Sequence, residues 1–410
     1  MGESHQKIFK RIEALVGSAN LRMAPAERAA YAYDATPGAE LVLPDAVILP
    51  KTAKEVAAIL ALANGARMPV VARGAGTNLT GGARPVQGGL VISSQRMNRI
   101  LTIDRDNLQV VVQPGVVTED LQEAVAEQGL FYPPDPQSAE TCTIGGNLAE
   151  NAGGPRALKY GVTRTHVLAL QAAFADGRLL RFGARTLKSV VGYDITSLLV
   201  GSEGTLAFIT EATLRLLAQP DRRATLLVLF AEVEAAAAAV AATLQAGILP
   251  SALEFVDRTA IQALPASLNL PAECQALLVV EVDGSAAQVE EEAQRVEKHM
   301  QLAGAIRVQR AKDAAEAQSL WKARREVGPA LAKIAPHKIN EDVVVPISRL
   351  PETVRAIDGI SAKHQVRCAI YGHAGDGNLH VNFLLQRGDV EERARVEEAV
   401  AETFALVVGL

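Results

Sequence analysis

Residues 73–82 read Arg73-Gly74-Ala75-Gly76-Thr77-Asn78-Leu79-Thr80-Gly81-Gly82. Glycine permits positive φ and close backbone approach, so successive amides here can converge on an anion. Arg73 adds positive charge, and Thr77, Asn78 and Thr80 add donors. A pyrophosphate suits such a cradle; a plain surface turn cluster is the other reading the string allows. Gly74-Ala75-Gly76 also begins a dinucleotide-binding GxGxxG, but Leu79 stands where the third glycine would be. That motif needs a helix directly after the loop. Gly81, Gly82, Pro85, Gly88 and Gly89 forbid one.

A second stretch argues against a mere turn cluster. It reads Pro133-Pro134-Asp135-Pro136-Gln137-Ser138-Ala139-Glu140-Thr141-Cys142-Thr143-Ile144-Gly145-Gly146-Asn147-Leu148-Ala149-Glu150-Asn151-Ala152-Gly153-Gly154. Two Gly-Gly pairs in so long a loop are hard to explain by packing. Backbone running beside a flat cofactor explains them better.

A third group sits near the end: Ile370-Tyr371-Gly372-His373-Ala374-Gly375-Asp376-Gly377-Asn378-Leu379-His380-Val381-Asn382. Two strands joined by a turn at 374–378 would put His380 and Asn382 on one face, since strand side chains alternate. Such a hairpin can bring His373 across to them. Two neutral imidazoles at one point suit a divalent metal, and a polar turn with incidental histidines is the alternative. Upstream, Leu320-Trp321-Lys322-Ala323-Arg324-Arg325 falls on a helix capped by Asp313, with Glu316 three residues on. A guanidinium there can grip a carboxylate through two parallel hydrogen bonds. Trp321 reads as a packing residue.

Together with Gly201-Ser202-Glu203-Gly204-Thr205-Leu206, these strings resemble the FAD domain of the vanillyl-alcohol-oxidase superfamily. Within it the sequence is similar to bacterial glycolate oxidase catalytic subunits and D-lactate dehydrogenases over nearly the whole chain. The resemblance implies FAD-dependent oxidation of a D-2-hydroxy acid, with FAD cradled by Arg73, Gly74, Ala75, Gly76, Thr77, Asn78, Gly81 and Gly82. It further implies a flavin lined by Pro134, Asp135, Thr141, Gly145, Gly146, Asn147, Asn151, Gly153 and Gly154, with Gly204 and Ile209 nearby. Some relatives attach FAD through His or Cys. No His occurs in the first glycine segment and Cys142 reads as a small packing residue, so non-covalent FAD is expected. The resemblance makes Arg324 the substrate-carboxylate arginine, Lys338 its helper, and His373 and His380 ligands of a metal such as Zn, Mn or Fe. It implies a quinone, an electron-transfer flavoprotein or an iron–sulfur subunit as electron acceptor. Family members continue with a Glu-His pair carrying a third ligand and a base. This sequence ends Phe404-Ala405-Leu406-Val407-Val408-Gly409-Leu410 within a helical pattern, so truncation is expected, and with it the alternative of a flavin-binding subunit without its own catalysis.

The elements must hold these groups in place. The chain has 410 residues, too many for one ordinary core, and 49% hydrophobic residues suffice for two. The expected fold is α+β. A two-subdomain FAD-binding domain of the PCMH type covers 1–219, with its core over 43–219. An α+β cap domain covers 220–388, with an antiparallel sheet and helices on one face. Residues 389–410 start a helical segment returning to the FAD domain. In the first part, Thr52 caps a helix running to Gly65, strands are expected at 68–72, 91–93 and 108–112, and a helix at 118–128. Residues 133–161 read as loop, and a hairpin covers 167–182. In the second part, strands (224–230, 253–256, 277–282, 305–309, 343–345, 366–384) alternate with helices (233–246, 285–302, from 313, from 351). A nicotinamide fold is disfavoured because neither glycine segment opens a helix.

The net charge of -5, with no Lys/Arg run, excludes a nucleic-acid surface. Cys142, Cys274 and Cys368 lie far apart without a CxxC, which excludes a zinc ribbon or an iron–sulfur site on this chain. Unpaired cysteines fit the cytoplasm. The opening Met1-Gly2-Glu3-Ser4-His5-Gln6-Lys7 leads into no signal peptide. The uncharged stretch 235–253 reads as a soluble helix stopped by Gly247-Ile248-Leu249-Pro250, not a membrane span. Peripheral attachment to the inner face of a membrane through a partner is compatible with this.

Overall fold

The computed structural model describes residues 3–36, 40–386 and 388–410. Met1 and Gly2, which begin the N-terminal segment read above, lie outside the described residues. Two compact units emerge: Met1–Gly154 with Gly161–Gln219, and Pro155–Tyr160 with Pro220–Leu410.

The first unit holds two main sheets. One is four-stranded, in the order Leu21–Arg22, Ala46–Ile48, Leu90–Ser93, Val70–Arg73, and its last three strands run parallel. The first glycine segment leaves this sheet from Arg73. The helix Ala53–Gly65 packs on it. The Thr52 side chain caps this helix by accepting from the Glu55 amide, and Val56, Ile59, Leu60 and Ala63 form its buried stripe. The other sheet is antiparallel and five-stranded: Ile100–Asp104, Gln109–Val112, Phe208–Arg215, Val167–Ala173, Leu179–Gly183.

The second glycine segment departs from expectation. Residues 133–161 are not loop throughout, because Ile144–Glu150 forms a helix. Seven residues with two glycines have poor intrinsic helicity. Tertiary contacts supply what propensity lacks. Ile144 and Leu148 are buried in the core, Thr143 caps the helix by accepting from the Gly146 amide, and Asn147 donates to Thr118 Oγ1 at 2.8 Å. Asn151 closes the helix in the left-handed region at φ 52°. The argument that neither glycine segment opens a helix therefore holds only for the first. What separates this helix from a dinucleotide fold is its entry, since Thr143 bridges antiparallel to Val117 instead of ending a parallel strand.

The second unit is built on one seven-stranded antiparallel sheet. Its strands are β1 (Arg222–Phe230), β2 (Ala252–Asp257), β3 (Ala276–Gly284), β4 (Arg307–Arg310), β5 (His337–Val344), β6 (Arg367–Gly372) and β7 (Asn378–Leu385). Their order is β4-β1-β3-β2-β6-β7-β5. Helices α1 (Val233–Gln245), α2 (Ala286–Leu302), α4 (Leu350–Lys363) and α5 (Val390–Val408) bury their apolar stripes on one face. Helix α3 (Ala314–Ala330) is the exception and packs Leu320 and Val327 on the opposite face. Strand β5 starts six residues before the expected 343; Lys338, Asn340, Glu341 and Asp342 make residues 338–342 look too polar for a strand. It forms at the edge of the sheet because pairing with β7 along its whole length satisfies the backbone groups on that side. The segment Pro155–Tyr160 belongs to this unit: Lys159 Nζ donates to Asp283 Oδ1 at 2.6 Å and Tyr160 Oη to Oδ2 at 2.8 Å.

Candidate active site

In the first unit three glycine-bearing segments converge. A Cβ on Gly74 would collide with Thr143, one on Gly82 would lie 3.0 Å from the Glu203 carboxylate, and one on Gly204 3.0 Å from Ala72 Cβ. Thr80 donates to Glu150 Oε1 at 3.0 Å, and the Glu203 amide donates to the Ala149 carbonyl at 3.0 Å. Gly145 lies against Pro114 and Gly154 against the Asp135 carbonyl, both too closely for a side chain. Gly76, Gly81 and Gly204 have φ of 75°, 78° and 74°, which glycine alone adopts without strain. The result is three segments packed backbone against backbone, with glycine at the positions where a Cβ would press on protein atoms.

Several of the expected residues shape this region instead of pointing out of it. Arg73 is buried and its guanidinium donates to the Tyr33 and Ala83 carbonyls, at 2.6 and 3.2 Å, over the Tyr31 ring. Burial depresses its pKa against the attraction of Asp34. Its charge therefore clasps the loop and is not presented to an anion. Asn147 is likewise turned into the core, and Asn78 donates to Asp34 Oδ2 at 2.9 Å. The Pro134 carbonyl accepts from Gln122, Thr141 donates to the Ser138 carbonyl, and Asn151 Oδ1 accepts from the Arg164 amide. Ile209 is buried in the five-stranded sheet. Sequence reasoning missed Thr118 and Glu150, whose partners lie 29 and 70 residues off in the chain, and Thr143, whose cap on Gly146 is local.

In the second unit all four expected residues meet on the α3 face of the sheet. Register places Asp342, His380 and Tyr371 in one cross-strand row of β5, β7 and β6, and Asn340 with Asn382 in the next. The rings of His373 and His380 lie 5.1 Å apart and edge-on, and Tyr371 lies 5.3 Å from His380. Helix α3 sets Arg324 over the Tyr371 ring at 4.9 Å. Lys338 Nζ donates to the Gly328 carbonyl of α3 at 3.1 Å. Burial lowers the pKa of Lys338 against the pull of Asp342. The close approach needs Gly328, since a Cβ there would lie 2.6 Å from the Tyr371 hydroxyl.

Two carboxylates hold the imidazoles. His380 Nδ1 pairs with Asp342, and His373 Nδ1 pairs with Glu254 Oε1 at 2.7 Å. Burial lowers the His380 pKa more than Asp342 raises it, so this ring is neutral near pH 7. Glu254 is fully buried on β2, and burial pushes its carboxyl up. The charges of His373 and Arg324 outweigh that, so it lies below its ordinary value. Arg324 Nη2 is 2.5 Å from Glu254 Oε2, an ion pair without hydrogen-bond alignment, and Arg324 Nε is a buried donor lacking an acceptor. Among the described residues no group of three or more His, Cys, Asp or Glu is arranged to hold a metal ion. Glu254 was missed in sequence; its signal is a charge inside the apolar run Ala252-Leu253-Glu254-Phe255-Val256.

These two sites, one of bare backbone and one of paired charges, match two known domain types in chain order. Residues 44–183 match the FAD binding domain family and residues 219–410 the family of FAD linked oxidases, C-terminal domain. The chain belongs to the FAD-linked oxidases. It is 44% identical to glycolate oxidase subunit GlcD of Bacillus subtilis (strain 168), over 96% of this chain and 84% of that protein. It is 38% identical to the D-lactate dehydrogenase of Archaeoglobus fulgidus, over 88% of this chain and 80% of that protein. Its fold is that of 4-ethylphenol oxidase from Gulosibacter chungangensis, with a TM-score of 0.78 and 20% identity, covering 99% of this chain and 87% of that one. No helix among the described residues is long and apolar enough to cross a membrane.

Proposed function

We propose that this chain oxidises a D-2-hydroxy acid, such as glycolate or D-lactate, to the 2-oxo acid. The observation that carries this reading is Arg324, a buried guanidinium paired with Glu254 through Nη2 and with its Nε lacking an acceptor, beside two imidazoles whose Nδ1 atoms are already engaged. Arg324 grips the substrate carboxylate in bidentate fashion and Lys338 adds a second positive charge. The opposite end of the same small molecule then falls to His373 and His380.

The bare backbone of the first unit fits FAD, with the pyrophosphate at 74–78 and 81–82 and the flavin along 134–135, 141, 145–147, 151, 153–154, 204 and 209. FAD held there would supply the acceptor for the hydride leaving C2, with the hydroxyl proton passing to a base. Cys142 is buried with its sulfur 3.2 Å from Thr118 Oγ1, which supports non-covalent attachment.

The donor set of His373 and His380 also fits a divalent metal such as Zn, Mn or Fe. Metal-binding imidazoles are typically oriented by a carboxylate on the other nitrogen, as Glu254 and Asp342 do here. Two nitrogens leave positions for oxygen ligands, and such an ion would lower the pKa of the 2-hydroxyl. Reoxidation by a quinone, an electron-transfer flavoprotein or an iron–sulfur subunit completes the cycle. The free, buried cysteines Cys142, Cys274 and Cys368 support work in the cytoplasm, peripheral to the membrane where the acceptor is a quinone.

The test is spectroscopic. Anaerobic addition of glycolate, D-lactate or D-2-hydroxyglutarate to the metal-loaded yellow protein should bleach the oxidised flavin bands. A flavin that stays oxidised with every 2-hydroxy acid would refute the reading.

A further inference from the structure

Glu254 stands out among the carboxylates of the second unit. It is fully buried, yet its two oxygens face groups from two different elements: His373 after β6, and Arg324 on α3. A buried ion pair seldom adds stability over apolar residues of similar volume. Its neighbours on the same face of β2, Ala252 and Val256, are apolar, so packing alone has no use for a charge at 254. Asp342 holds His380 and accepts from Asn340 of its own strand, whereas Glu254 ties an imidazole and a guanidinium from two other elements to one rigid group.

We propose that Glu254 is a positioning residue that fixes the spacing between Arg324 and His373. It would thereby let the carboxylate and the 2-hydroxyl of one substrate be engaged together. This rests on the function proposed above. Glu254 accepts the Nδ1 proton of His373, which leaves Nε2 as the free lone pair of that ring. Its other oxygen holds Arg324 Nη2 in an ion pair while leaving the donor Nε without an acceptor. The carboxylate arginine acts in ground state and transition state alike, so displacing it raises KM. The imidazole acts at the reacting hydroxyl, so tilting it lowers kcat. A residue that positions both should move both parameters.

The experiment compares Glu254→Gln, which keeps the shape and loses the charge, with Arg324→Lys and with the double variant. Glu254→Gln should raise KM and lower kcat, for a combined loss of about 10- to 100-fold in kcat/KM at unchanged flavin content. Arg324→Lys should act mainly on KM, and the double variant should lose less than the product of the singles. Unchanged kcat and KM, or strictly multiplicative losses, would overturn the proposal. Should the Gln variant fail to fold, the wild-type flavoprotein stripped of divalent metal by chelator still decides the matter. In ¹⁵N-histidine NMR, with His373 assigned by loss of its signals in His373→Gln, the ring should carry its proton on Nδ1. A proton on Nε2 would overturn the assignment. A wild type that no 2-hydroxy acid bleaches defeats the proposed function itself, whereas the tautomer of the metal-free protein reports on the bond between Glu254 and His373 whatever the substrate.

Discussion

In the first unit the candidate site is drawn with backbone: Gly74, Gly82, Gly145, Gly154 and Gly204 matter for the side chains they lack. In the second it is drawn with charges, and Glu254, Arg324, Lys338, Asp342, His373 and His380 matter for the partners they hold. The first solution suits a large ligand of fixed shape, because amides at close range need no flexible group to order. The second suits a small reacting molecule, where a few charges must be aimed and their protonation set. It follows that the first site should break through volume and the second through charge.

The comparison can be broken by making each unit fail in the other's manner. Gly154→Ala should have the largest effect. Gly154 has φ 136° and its added Cβ would collide with the Asp135 carbonyl, a backbone atom that cannot swing away. The combined strain of about 3 kcal/mol corresponds to roughly 100-fold in FAD affinity, read as loss of yellow colour on purification. Arg324→Lys preserves charge and nearly preserves volume, so FAD content should hold while KM rises by about 10- to 100-fold. If it instead released the flavin, the division between volume and charge would fail.

Asp342→Asn sharpens the second half of the comparison. It keeps the shape beside His380 but removes the charge that opposes the depression of that ring's pKa by burial. A fall in kcat of about 10-fold or more, with KM nearly constant in steady-state assays, is the expected outcome. The last effect concerns stability. Asp257 ends β2 fully buried, and burial raises its pKa from 3.8 to about 7, although the Ala260 amide donates to it. The unfolded chain releases this proton near 3.8 and the folded one only near 7. The stabilisation is thus complete below the lower value and drains away as pH rises through the higher. Asp257→Asn should flatten that decline in urea titrations between about pH 4 and 7, by about 4 kcal/mol at most.

Legibility follows the same division. Glycines in a row are a local message, so both backbone segments stand out in the sequence, and the alternation of strands and helices after residue 220 is readable from periodicity. The hairpin from His373 to His380 is readable too, since its turn residues Gly375, Asp376 and Gly377 lie between the histidines. Misreadings arise where tertiary contacts override local preference. Ile144–Glu150 is a helix despite its glycines, β5 is a strand despite its charges, and Arg73 spends its donors on carbonyls 10 and 40 residues away.

The sequence by itself determined where the chain can bend, which faces must be buried and which side chains could do chemistry, because those properties are carried by residues close together along the chain. Only the tertiary structure decided who pairs with whom. Glu254 lies 119 residues from His373, and Asp342 lies 38 from His380. Nothing in local propensity encodes such pairings. They arise when strands far apart in sequence dock in register, and burial then leaves each charge only the partner that docking has supplied.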